Sequence, residues 1–166
     1  LATATIAEKT VRRITGASMA KTLFGKGSQI ANAIAAYFAN NNGQTPVYTF
    51  AFDDAVGTNA TGTLTVTGPA TEDGTVIFYV SGKKFEVAVL DTESATVIGD
   101  AIEAAITADL DLPVTAANVT GTVTLTARHD GTVGNQIVIS GPVYSSEVAP
   151  PAGTSLVAVA MASDAT

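Results

Sequence analysis

The chain has a single histidine, His129, which stands between Arg128 and Asp130 in the stretch VTLTARHDGTVGN. A histidine beside an aspartate could act as a general base that a carboxylate orients. Neighbouring side chains of a strand point to opposite faces, so His129 and Asp130 diverge if a strand runs through them. Asp130-Gly131 is a favoured turn dipeptide, and we interpret 129–135 as the connection between two strands. Because nothing in the sequence nominates a nucleophile, we expect no catalytic role for His129.

A second pattern brings together residues that could bind phosphate. The segment GASMAKT, residues 16–22, ends in Lys-Thr like a phosphate-binding loop. That loop requires G-x-x-x-x-G-K-[ST], whereas here Ala20 precedes Lys21 and Thr15 stands at the first glycine position. The glycines that let backbone amides surround a phosphate are missing, and we therefore expect no nucleotide site.

Carboxylates occur in two short clusters, Asp53-Asp54 in a polar stretch and Asp109 with Asp111 after a helical one. Neither cluster has the set spacing of oxygen ligands and the bidentate closing carboxylate of a calcium loop. The chain has no cysteine and one histidine, which excludes thiolate sites and multi-histidine sites within one chain. We therefore expect solvated loop carboxylates, and no catalytic, cofactor-binding or metal-binding residue.

One aromatic residue is a candidate for binding a sugar. The chain has no tryptophan, four tyrosines and six phenylalanines, and most of these fall in alternating or helical core patterns. Tyr144 instead lies in the proline-containing stretch 141–153, which we interpret as a loop. It is the aromatic side chain that we expect to be exposed.

Charge is distributed unevenly along the 166 residues. Residues 1–26 carry five basic and one acidic side chain, a net of +4, and the rest carry three basic and fourteen acidic, a net of −11, which together give −7. So acidic a body repels nucleic acid and anionic membranes, and we expect it to bind neither. No run approaches the roughly 18 apolar residues that span a bilayer. Because the first residue is Leu1 and not methionine, we expect a fragment or a processed product.

The first third of the chain predicts one helix and one strand. Residues 1–25 lack a clean period, and we expect a flexible lead-in there. From Ser28, a plausible N-cap, SQIANAIAAYFANNNG has helical apolar spacing and ends at Asn and Gly residues. PVYTFAF, residues 46–52, then alternates like a strand. The polar stretch 53–61 is the best internal boundary in the chain.

Beyond that boundary, the patterns predict a sheet with one helix packed on it. TGTLTVTG (61–68) alternates strictly, and TVIFYV with KKFEVAVL forms a hairpin through Ser81-Gly82. An amphipathic helix follows at about 93–108, capped by Thr92 or Asp91, with a stripe of three isoleucines. The remaining predicted strands are 113–116, 121–128, 135–140 and 155–162. The fold class is therefore α+β, a mixed or antiparallel sheet domain beside a helix–strand segment.

Several segments, in their order and spacing, resemble the Mu-like bacteriophage contractile tail sheath proteins. They are TLFGKGSQIANAIAAYFANN (22–41), TGTLTVTG (61–68), ADLDLPVTA (108–116), VTLTARHDGTVGN (123–135) and the closing SLVAVAMASDAT (155–166). The resemblance covers about residues 22–166, and 61–135 is its most specific part. The chain departs from it at Asp130, where the family more often has a basic residue.

This resemblance implies a structural, non-enzymatic fragment of a sheath subunit. In this family, subunits polymerise around a tail tube and contract to drive it into the host, so the implied partners are other sheath subunits and the tube. The implied location is the virion, after synthesis in the host cytoplasm. We expect 26–58 to be part of the sheath body domain and 59–166 to be a peripheral inserted domain. We also expect the fragment alone to be monomeric.

A surface adhesion module for glycan or protein is the alternative from another functional class. It is favoured by the strand-rich pattern and by Tyr144. Assembly of the parent protein into tubes would support the sheath hypothesis, whereas glycan binding that depends on Tyr144, without assembly, would support adhesion.

Overall fold

The computed structural model describes Ala7 and residues 9–41, 45–52 and 57–163. Its elements fall into two groups, each with its own hydrophobic cluster. The first group, within residues 9–52, consists of β1 (Arg12–Ile14), α1 (Ala17–Phe24), α2 (Gln29–Asn41) and β2 (Val47–Thr49). No helix among the described residues is long and apolar enough to cross a bilayer.

The second group, within residues 57–163, contains two antiparallel sheets and one α-helix. Its elements are β3 (Asn59–Val66), β4 (Gly74–Val80), β5 (Lys83–Val89), α3 (Ala95–Ala108), β6 (Val114–Val119), β7 (Thr122–Asp130), a 3₁₀ helix (Thr132–Gln136), β8 (Ile139–Ser140) and β9 (Leu156–Ala162). The strand order is β6-β7-β3-β9 in one sheet and β5-β4-β8 in the other. Helix α3 contacts strands of both sheets. The predicted α+β class is confirmed.

The isoleucine stripe of α3 forms the centre of the larger cluster. Ile98, Ile102 and Ile106 recur at helical spacing and are at most 1% exposed. They pack with Leu64, Leu125 and other inward residues of the sheets. The helix begins at Ala95, two residues later than expected, because the hydroxyl of Ser94 accepts a hydrogen bond from the Val97 amide at 3.4 Å. Ser94, and not Thr92 or Asp91, is therefore its N-cap.

The hairpin between β4 and β5 has the turn that its sequence predicts. Val80 pairs with Lys83, and the two residues between them, Ser81 and Gly82, have φ values of 53° and 78°. Positive φ at both central residues matches the right-handed twist of the flanking strands. The prediction of a hairpin here is confirmed.

The segment after β7 differs from its prediction. Alternation in NQIVIS predicts a strand over 135–140, but only Ile139 and Ser140 pair, with β4. The preceding residues form the 3₁₀ helix, which ends where the Ile137 amide donates to the Gly134 carbonyl at 3.1 Å. Gly134 lies so close to β3 that a Cβ there would be 2.7 Å from the Ala60 side chain, which explains why glycine is needed.

We expected a flexible lead-in over 1–25, but its described part contains β1 and α1. Residues 1–6 and 8 lie outside the described residues. Ile14, Ala20 and Phe24 are at most 3% exposed and pack with the buried face of α2. The predicted helix from Ser28 is confirmed, and the Ser28 hydroxyl accepts from the Ala31 amide at 3.3 Å. The apolar positions before residue 25 gave no clear period because their burial depends on α2 and on the pairing of β1 with β2.

The predicted strand 46–52 is shorter than expected but alternates as predicted. Only Val47–Thr49 pair with β1. Val47 and Ala51 pack against the smaller cluster, whereas the other face is exposed. That face, which we call the aromatic strip, consists of Tyr48, Phe50 and Phe52, which are 69%, 46% and 67% exposed.

The two groups meet at the loop between α3 and β6. Lys21 Nζ of α1 lies 2.5 Å from Asp111 Oδ2, and Asn32 Nδ2 of α2 donates to the Asp111 carbonyl at 3.1 Å. Gly27, between the two helices, approaches the same loop: a Cβ there would be 2.4 Å from the Leu112 carbonyl oxygen. This close approach makes Gly27 part of the junction.

The α3 stripe can be tested by truncating its central residue. Replacing Ile102 with Ala leaves a cavity between helix and sheets and should lower the free energy of unfolding by about 2–5 kcal/mol. The exposed Thr107 of the same helix provides a control, since Thr107→Ala should change it by less than about 0.5 kcal/mol. Urea unfolding followed by circular dichroism measures both, and similar losses for the two variants would contradict the assignment.

The junction can be tested at Gly27. Gly27→Ala forces a side chain into the left-handed region (φ 77°) and against the loop carbonyl, and should cost about 2 kcal/mol or more in unfolding free energy. Gly82→Ala is the matched control, because Gly82 has nearly the same φ (78°) but a Cβ there meets nothing within 4 Å. The same urea titration checks both variants. A Gly27 variant as stable as the Gly82 variant would show that the groups do not pack as described.

Candidate functional site

His129 lies on β7 and faces the core. Backbone and side chain together, it is 8% exposed, less than any other polar or charged residue among the described residues. Its Nε2 has no hydrogen-bond partner within that part of the chain. Strand β7 continues through Asp130, so our interpretation of 129–135 as a connection is wrong for its first two residues. The turn begins at Gly131, where φ is 83°.

The side chains on either side of His129 do not converge on it. Asp130 occupies the opposite face of β7, in register with Asn59 of β3. Arg128 donates from Nε to the Leu112 carbonyl at 2.9 Å. The divergence predicted from strand geometry is therefore confirmed, and Asp130 does not orient His129 as a carboxylate orients a catalytic base.

Lys21, the residue that suggested a phosphate loop, is part of a helix. Helix α1 begins at Ala17, so the segment 16–22 forms no loop that could surround a phosphate. The Lys21 ammonium pairs with Asp111, as described for the junction. The hydroxyl of Thr22 donates to the Ser18 carbonyl at 3.1 Å within the same helix.

The carboxylates after α3 form ion pairs. Lys83 Nζ lies 2.5 Å from Asp109 Oδ2, and the Asp109 side chain is 18% exposed. The Lys83 hydrogen bond lowers the pKa of Asp109, against a smaller opposing effect of burial. The expectation of solvated carboxylates is therefore wrong at Asp109, whereas the Asp111 side chain is 45% exposed although it pairs with Lys21. Asp53 and Asp54 lie outside the described residues, and the described ones contain no group of three or more His, Asp or Glu side chains placed to hold a metal.

A concave surface lies between the tip of the β4–β5 hairpin and the loop after β8. This opening, which we call the tyrosine cleft, has a volume of about 500 Å³. Its lining includes Tyr79, Ser81, Gln136, Ser140, Val143 and Tyr144. The rings of Tyr79 and Tyr144 lie 6.4 Å apart at an interplanar angle of 68°. Tyr144 is 65% exposed, as the sequence predicted.

One carboxylate, that of Glu147, holds the loop beside the cleft. Its Oε1 accepts a hydrogen bond from the Tyr79 hydroxyl and lies 3.4 Å from Lys84 Nζ. Its Oε2 accepts from the backbone amides of Val143 and Tyr144 at 2.8 and 3.0 Å. The Glu147 amide donates back to the Tyr144 carbonyl at 3.0 Å. Glu147 therefore links residues within the loop to one another and connects the loop to β4.

These donors stabilise the ionised form of Glu147. The Tyr79 hydrogen bond is the largest influence, burial opposes it, and the two backbone amides add to it, so that the pKa of Glu147 is lowered to about 2. The same hydrogen bond raises the pKa of Tyr79. Both carboxylate oxygens are occupied by donors. Glu147 is therefore arranged to position the loop and not to transfer protons.

Sequence reasoning identified Tyr144 but missed the residues that position it. Tyr79 and Glu147 are 68 positions apart, and no periodic pattern links residues at that distance. The sequence did contain one local signal for Glu147. A carboxylate that follows two loop amides by three or four residues can accept hydrogen bonds from both of them. The pairing with β4 could not be inferred from it.

The chain resembles one curated protein strongly. It is 36% identical over 139 residues to the Mu-like prophage FluMu tail sheath protein of Haemophilus influenzae, an alignment that covers 83% of this chain and 28% of that relative. No family model matches the chain. The similarity agrees with the resemblance found in the segments 22–41, 61–68 and 123–135. This chain therefore corresponds to a part of a Mu-like phage tail sheath protein and spans 28% of the length of the relative that it matches.

Proposed function

We propose that this chain is part of a structural subunit of a contractile phage tail sheath. The subunit polymerises around the tail tube and contracts to drive it into the host. The observation that carries the proposal is the 36% identity over 83% of the chain to a tail sheath protein. Its implied location is the virion, after synthesis in the host cytoplasm.

The residues that could have done chemistry support a role without catalysis. His129 is buried and its neighbours diverge from it, while Lys21 and Asp111 neutralise each other at the junction. Glu147 has donors on both oxygens. Lys21, Asp111 and Glu147 link segments of the fold to one another, which suits a subunit whose role is mechanical.

The two hydrophobic clusters support a division into two functional parts. We assign residues 26–58 to the sheath body, together with β1 and α1, which share their hydrophobic cluster, and 59–166 to a peripheral inserted domain. The larger cluster draws all its residues from 60–161, and it is closed by its own helix and sheets. The smaller cluster leaves the aromatic strip exposed. We place the remaining body domain of the subunit against this strip, because the relative is more than three times as long as the aligned segment.

Assembly of the complete subunit tests the proposal. Co-expressed with its tail tube protein, the full-length polypeptide should form tubes in negative-stain electron microscopy, in a long and a short state. Residues 1–166 alone should sediment as a monomer of 16.7 kDa, because a chain with net charge −7 repels its own copies. Full-length protein that never forms tubes would contradict the proposed function, whereas a stable ring of the 166-residue chain would contradict only its expected monomeric state.

A further inference from the structure

The loop that bears Tyr144 is built as a rigid support. Loops usually owe their mobility to unsatisfied backbone groups and sparse contacts. Here the Glu147 side chain is 7% exposed and holds two loop amides, the Tyr79 hydroxyl and the Lys84 ammonium together. This arrangement fixes the backbone at Val143 and Tyr144 although both side chains point into solvent, with exposures of 60% and 65%. An exposed aromatic ring on a fixed backbone loses little entropy on binding.

The facing wall of the tyrosine cleft is also fixed by backbone hydrogen bonds. Tyr79 pairs with Ser140 in the β4–β8 ladder, and the Ser81 amide donates to the Val138 carbonyl at 2.9 Å. The tip of the hairpin is thereby tied to the strand that precedes the loop. Both walls of the cleft are formed before any ligand arrives, as in most small-molecule sites.

The lining combines apolar surface with uncharged polar groups. Ser81 and Ser140 supply hydroxyls, and Gln136 supplies a carboxamide that can donate and accept. Val138, Val143 and Tyr144 supply exposed apolar surface. The lining residues carry no charge, and the neighbouring charges pair with each other: Glu147 lies 3.4 Å from Lys84, and Lys83 lies 2.5 Å from Asp109. A charged ligand would therefore find no free counter-ion in the cleft.

We propose that the tyrosine cleft binds a neutral saccharide. The C–H face of a sugar ring would stack on Tyr144, and its hydroxyls would exchange hydrogen bonds with Ser81, Gln136 and Ser140. Such a ligand matches the lining because it carries apolar faces and many hydroxyls but no charge. Glu147 is a positioning residue, since both its oxygens are occupied and it acts through the loop that it holds.

The proposal is tested by titrating isotopically labelled protein with neutral trisaccharides. Maltotriose, cellotriose and triacetylchitotriose are the probes, added to about 20 mM and followed by amide chemical shifts. At least one should shift the amides of Ser81, Gln136 and Tyr144. Tyr144→Ala should weaken this binding by about tenfold. Tyr48→Ala, which truncates a tyrosine of similar exposure on β2, should leave it unchanged.

Three results would overturn the proposal. The first is that none of the trisaccharides shifts the cleft amides. The second is that the shifts persist in Tyr144→Ala. The third is that the acidic trisaccharide trigalacturonate binds more tightly than the neutral ones. Thermal unfolding of both tyrosine variants at the wild-type temperature would show that neither substitution acts by unfolding the chain.

The positioning role of Glu147 has its own pH signature. Its folded-state pKa of about 2 lies below the ordinary 4.5, so its stabilising effect is complete above pH 4.5 and is lost as the pH falls towards 2. The stability difference between wild type and Glu147→Gln should therefore shrink across this range in urea titrations. At pH 7 the variant should also bind the trisaccharide several-fold more weakly. Glu86→Gln, which removes the other carboxylate beside Lys84, should keep wild-type binding. Equal binding by Glu147→Gln and Glu86→Gln would contradict the positioning role.

Discussion

Burial of the α3 isoleucine stripe between two antiparallel sheets is the constraint on which the larger group depends. Neither sheet has a second apolar partner layer of its own: β3 and β7 turn their threonines outward, and their inward residues meet α3 and the other sheet. An antiparallel sheet needs only one covered face, and the helix covers both sheets at once. Fully burying isoleucine side chains contributes about 1.5–3 kcal/mol each, more than any surface ion pair in the chain. The stability of the core therefore does not depend on the polar interactions, and these position loops instead.

This difference in role between the apolar core and the polar interactions explains where the polar groups lie. Glu147, Lys84 and Tyr79 form a network at the edge of the smaller sheet, and Lys21 with Asp111 form another at the junction. Each network joins segments that are far apart in the sequence. Only His129 is a polar side chain within the core of the described residues, and it makes no contact with a carboxylate there. The other inward residues of β7, Val123, Leu125 and Ala127, are apolar.

The features that the sequence predicted are those whose causes are local. The α3 stripe, the Ser81-Gly82 turn and the alternation of β3 each follow from spacing within one element. The features that it missed depend on distant partners. Ile14 and Phe24 are buried because α2 and β2 cover them. The first residues of the strand predicted at 135–140 belong instead to the 3₁₀ helix, in which Gly134 packs against Ala60. At the candidate site, exposure of Tyr144 was predictable from its loop. The Glu147 contacts were not, since they join residues up to 68 positions apart.

The two exposed aromatic surfaces belong to different clusters, which bears on how one subunit could serve two roles. The aromatic strip lies on the group formed by residues 9–52, whereas the tyrosine cleft lies at the edge of β4 and β8. Because each group has its own core, a ligand in the cleft and a protein surface on the strip would be stabilised by separate sets of contacts. In the proposed sheath subunit, binding in the cleft would therefore leave the contacts made by the aromatic strip in place. The proposed insertion of residues 59–166 into the sheath body would favour such a separation, since an insertion adds a surface and leaves the packing of its host domain in place.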